Sequence, residues 1–118
     1  MSGAIEEWAD VVALGLALPG VVEGTSYGKP ALKMSDRMIA AGTAPDAGSF
    51  VLHVPVEEKE VLIATDPDTF WETDHYRGWP AVLVRYGTPA HERIALLLAR
   101  ARWDRAKPTQ RRAFGPRP

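Results

Sequence analysis

Apolar residues recur at two different periods along this chain, and the alternation of those periods predicts its elements. Ile5, Trp8, Val12 and Leu16 stand at helical spacing opposite Glu6, Glu7 and Asp10, so residues 4–18 are expected to form an amphipathic helix ended by Leu18-Pro19-Gly20. Gly15 weakens that helix by about 1 kcal/mol relative to Ala, which points to close packing against another element. Residues 21–27 read as a short strand closed by Gly28 and Pro30. Ala31 to Met34 and Met38 to Ala41 flank Ser35-Asp36-Arg37, a polar segment suited to a tight turn, and predict a β-hairpin. Residues 42–48 are expected as a loop, and Phe50 to Val54 as a strand stopped by Pro55. Glu57 to Ala64 suits a short helix, after which Thr65 or Asp66 could cap a further turn through Thr69, Phe70 and Trp71. Ala81 to Tyr86 is a further strand. Thr88 then caps a helix with Pro89 at its first position, residues 90–106 as its body and Ile94, Leu97, Leu98 and Ala101 as its buried stripe.

This order predicts an α+β domain: an antiparallel β-sheet with N- and C-terminal helices packed on one face. Residues 1–106 are read as one domain and residues 107–118 as a basic, Pro-containing C-terminal tail. Strand alternation sorts side chains between the covered and open faces. With Leu32, Met34, Phe50, Leu52, Val54, Val82, Val84 and Tyr86 inward, the open face receives Lys33, His53 and Arg85. Lys29, Arg37 and Arg77 lie nearby in sequence and would extend a basic surface able to hold phosphate or carboxylate. A solvated face paired to Glu23 and other acids is the competing reading.

Charge changes this picture. Residues 1–99 hold seven Lys/Arg against fourteen Asp/Glu, a balance of −7, whereas residues 100–118 hold seven Lys/Arg against Asp104 alone, a balance of +6. Such a basic end can bind nucleic acid, or it can complement a helix C-terminus. The absence of cysteine excludes disulfides, a thiolate nucleophile and Cys-based zinc sites. An acidic beginning and no long apolar run predict a cytoplasmic protein without a membrane partner. No HExxH, P-loop, GxGxxG or Gly-x-Ser-x-Gly pattern occurs, so no cofactor, metal or catalytic residue is assigned. An enzyme would need a proton-transfer pair such as His75 with Glu23 or Asp74. The densest group of functional side chains is Asp74-His75-Tyr76-Arg77-Gly78-Trp79-Pro80. There Tyr76 and Trp79 could stack on a ring, Arg77 contact an anion and His75 move a proton. For Trp79 the preferred reading is structural, its ring buried beside the following strand.

The runs Leu18-Pro-Gly-Val-Val-Glu23, Tyr27-Gly28-Lys29-Pro30-Ala-Leu-Lys33 and His75-Tyr-Arg-Gly-Trp79-Pro-Ala-Val-Leu-Val84 resemble the MmcQ/YjbR family, with similarity from Trp8 to about Trp103. The resemblance implies a fold likened to that of the frataxin homologue CyaY, and DNA binding through a "double wing" arrangement. Glu23, Lys33, Trp79 and the His75 segment match by position. Two positions depart: His53 stands where relatives often carry Lys, and Arg77-Gly78 replaces an Asn-Lys before the Trp. The expected partner is therefore DNA, held at Lys29, Lys33, Arg37, His53, Arg77 and Arg85. The alternative is a small anionic ligand or a protein, contacted by Glu23, His75, Tyr76 and Trp79.

Overall fold

Two tight hairpins start the sheet. The computed structural model describes residues 5–42, 48–87 and 89–118; most of the expected 42–48 loop and the Thr88 cap lie outside them. Strands β1 (Val22–Ser26) and β2 (Lys29–Met34) join through Tyr27 and Gly28, and β2 joins β3 (Arg37–Gly42) through Ser35 and Asp36. All four turn residues have positive φ, between 52° and 78°, the geometry whose twist matches that of antiparallel strands. Ser35 and Asp36 adopt it without glycine's freedom. Strand β4 (Ser49–His53) follows, then helix α2 (Val56–Thr65), β5 (Phe70–Trp71), a 3-10 turn at Asp74–Tyr76 and β6 (Ala81–Arg85). The six strands form one antiparallel sheet in the order β1-β2-β3-β4-β6-β5.

Helices α1 (Trp8–Leu16) and α3 (His91–Arg105) pack on one face, against each other and against β1 to β4. The expected α+β architecture is present. Its main core combines Leu32, Met34, Ile39, Phe50, Leu52, Phe70, Val82 and Val84 from the sheet with Val11, Ile94, Leu97, Leu98 and Ala101 from the helices. The α3 stripe is the expected one. In α1 it is rotated: Val11 and Gly15 are buried and Leu16 is 43% exposed, while Ile5 is buried just ahead of the helix. Gly15 explains the rotation, because a Cβ there would lie 2.4 Å from Leu32 Cδ1 and hold the helix off the sheet. The Asp10 carboxylate closes the helix start by accepting the Glu6 and Glu7 N–H groups.

Two segments differ from the sequence-based expectation. Phe70 and Trp71 form an edge strand rather than a helical turn. Pairing with Val84 and Leu83 buries the Phe70 ring completely, and the Trp71 indole N–H donates to Ser49 Oγ at 3.0 Å. Residues 107–118, read as a tail, contain helix α4 (Pro108–Phe114), which lies against α3. Trp103 donates to Gly115 O at 2.9 Å, and Arg111 stacks on the Trp103 ring while bonding the carbonyls of Trp103 and Asp104. Arg102 lies over the Phe114 ring, and Arg117 binds both oxygens of Asp104 at 2.8 and 2.9 Å and reaches Glu58 at 2.8 Å.

Candidate functional site: an aromatic groove on the open sheet face

The sheet is apolar on both faces. Opposite the helices, Ala31, Ala41, Val51, Ala81 and Leu83 form a second buried cluster flanked by Met38, Trp71 and Tyr76. Above it runs a groove of about 670 Å³, within the usual range for small-molecule sites. Its floor is Ala41, Val51, Ala81 and Leu83, from β3, β4 and β6. Trp71, Tyr76, Trp79 and Pro80 wall one side, and Ser26, Tyr27 and Lys29 of the first hairpin wall the other. Ala41, Val51 and Leu83 stand side by side in register, and none of the floor side chains is aromatic, so the floor is lower than the aromatic side chains beside it.

The wall from Glu72 to Pro80 contains one short 3-10 turn and little other regular structure, yet it has an internal anchor. Lys59, on α2, is 2% exposed, and its ammonium meets Glu72 Oε1 at 2.8 Å, Tyr76 O at 2.9 Å and Trp79 O at 2.7 Å. Two carbonyl acceptors and one carboxylate counter-ion surround the ammonium, which is what makes burial of this charge tolerable. Lys59 thereby fixes the backbone carrying Tyr76 and Trp79. The local sequence carries no signal for this role, since a Lys in a charged helix ordinarily reads as surface.

Of the expected site residues, the structure gathers Lys29, His75, Tyr76 and Trp79 around the groove. Trp79 is not buried beside β6 as expected; it stands 59% exposed, because its backbone is tied down by Lys59 while its ring faces outward. The other residues disperse. Lys33 lies along β1, with its side chain against Gly24. Arg85 stacks on Trp71 at 5.0 Å and donates to Pro67 O at 2.8 Å. Arg77 pairs with Asp74 at 2.6 Å, both exposed. Arg37 is exposed at the start of β3, and Glu23 is exposed on the edge strand, outside the groove. His53 stands at the open-face position expected of it, paired with Ala81, but is buried at 8% exposure. Burial first and the neighbouring Arg105 second push its pKa down to about 4, so it is a neutral, structural side chain at neutral pH. Among the described residues, no cluster of three or more His, Asp or Glu could hold a metal ion, and no helix is long and apolar enough to cross a membrane.

A family model described as YjbR matches residues 16–103. The chain belongs to the YjbR family. No curated protein and no solved structure matches it. The YjbR match spans every residue lining the groove, together with Lys59, whereas α4 and its contacts to Asp104 lie beyond it.

Proposed function

We propose that this YjbR-family protein is a binding domain whose open sheet face takes a small organic molecule. The observation that carries the reading is the groove itself: an apolar floor, aromatic walls and a backbone held by a buried lysine. Solvent-exposed apolar surface of this kind favours occupancy by an apolar body. DNA binding through a basic face is less well supported. Phosphate contacts need uncommitted cations, and Arg85 and Arg77 already have partners while Lys33 and Arg37 stand outside the groove.

A thermal-shift screen of neutral and charged aromatic compounds tests the reading, since a ligand selective for the folded state raises the melting temperature. Stabilising compounds are expected, and Trp79→Ala should weaken their effect. A screen without stabilisers would sink the proposal. Anisotropy with labelled duplex DNA at low salt supplies the contrasting outcome. Salt-sensitive binding at micromolar protein that is lost in Lys33→Ala and Arg85→Ala would favour DNA instead.

A further inference from the structure

Resting on the groove reading, we infer that the ligand is a flat aromatic molecule bearing one negatively charged group, which Lys29 seats at the rim. Flatness follows from relief. The floor presents only methyl and branched aliphatic groups from Ala41, Val51, Ala81 and Leu83, while indole and phenol rings rise beside it. A planar body lies on such a floor and meets the rings by stacking or edge contact, whereas a bulky saturated body contacts the floor at few points. The groove volume suits several fused rings.

The sign of the charge follows from the rim. Among the described lining residues Lys29 is the one with a fixed charge, His75 is a second nitrogen base, and none is a carboxylate. Among the described residues the Lys29 ammonium has no hydrogen bond or ion pair. That sets it apart from Arg77 and Arg85, whose partners are internal, and from Lys59, which is enclosed. A cation at the edge of an apolar floor discriminates in favour of an anionic headgroup on an apolar body, because the ligand's rings leave water while its charge stays partly hydrated.

The test uses the full chain and two fluorescent probes with the same ring system: pyrenesulfonate, which is anionic, and pyrenemethanol, which is neutral. Pyrenesulfonate should bind saturably, one per chain, with quenching of tryptophan emission, and about tenfold more tightly than pyrenemethanol. Lys29→Met should erase that difference while leaving the neutral probe unaffected, and Trp79→Ala should weaken both. Camphorsulfonate, anionic but bulky and saturated, should fail to displace pyrenesulfonate. Equal affinity for the two pyrenes, or an unchanged preference in Lys29→Met, would overturn the anion seat while the groove reading stands. Displacement by camphorsulfonate would overturn the requirement for a flat body. Failure of both pyrenes to bind would overturn the groove reading together with the inference.

Discussion

Lys59 and His53 show how a buried ionisable side chain can serve opposite ends. Lys59 pairs with Glu72 and donates to two carbonyls, so its removal leaves Glu72 without its counter-ion and the carbonyls of Tyr76 and Trp79 unpaired. Lys59→Met should destabilise the protein by about 2–4 kcal/mol in urea denaturation and blue- or red-shift Trp79 emission as the wall rearranges. If stability and emission both survive, Lys59 is not the anchor described here. His53 is neutral, with Nδ1 buried and unpartnered among the described residues. Its folded-state pKa of about 4 lies below the ordinary histidine value of 6.5, so between these values the unfolded chain binds the extra proton. The stability associated with the neutral ring is thus complete above about pH 6.5 and is lost as pH falls toward 4, up to about 3 kcal/mol in all. Melting temperatures measured across that window should fall steeply for the native chain and more shallowly for His53→Leu. Parallel slopes would exclude His53 as the source.

At the scale of elements, contact with the sheet decides what periodicity alone leaves open. The helical spacing of Ile5, Trp8, Val12 and Leu16 identifies α1, but Gly15 sets which side turns inward, because its missing side chain admits Leu32. Gly15→Ala gains helix propensity of about 1 kcal/mol and forces Leu32 aside at about 1–3 kcal/mol. Thermal denaturation should show a net loss of stability. Strands β2 to β4, β6 and helix α3 are legible in the sequence because apolar residues of each face one dominant core, while β1, with no buried residue, is marked by the turn residues around it. Strand β5 is not, since two residues carry no period and only pairing with β6 defines them. For α4 a local signal does exist: Pro108 stands in the first turn and Gly115, with φ 89°, just past the end. The cationic character of the segment obscures it.

For the whole molecule, the charge split between residues 1–99 and 100–118 is real in the sequence and is partly neutralised by folding. Arg117 returns to Asp104 and Glu58, Arg100 bonds Pro118 O and approaches Glu58, and Arg111 caps backbone carbonyls of α3. A chain ending after Ala106 would leave Trp103 uncovered and Glu58 and Asp104 without Arg117, while Arg100 stays beside Glu58. It should melt at a lower temperature than the full chain, with a midpoint less sensitive to added salt. The same long-range logic explains what was readable of the candidate site. The His75–Trp79 segment announces itself by composition. Its floor does not, since Ala41 carries no strand signal of its own and only register sets it beside Val51, and Val51 beside Leu83. In sequence Lys29 is one of several cations; its distinction is that it alone of them lines the groove, while Arg77 and Arg85 are paired and Lys33 and Arg37 stand outside it.

An antiparallel sheet with apolar residues on both faces has helices over one of them and, beside the other, aromatic side chains among which Trp79 stays largely exposed. The Ala, Val and Leu side chains beneath the groove are already buried against one another, so filling the groove takes the exposed Trp79 ring and its neighbouring aromatic wall out of water without rebuilding the core. The thermodynamic mark of that event is a negative heat-capacity change on binding. Titration calorimetry with pyrenesulfonate at several temperatures should therefore give an enthalpy that becomes steadily more favourable on warming, while the affinity changes far less. A temperature-independent enthalpy would mean that the molecule had settled on charged surface elsewhere.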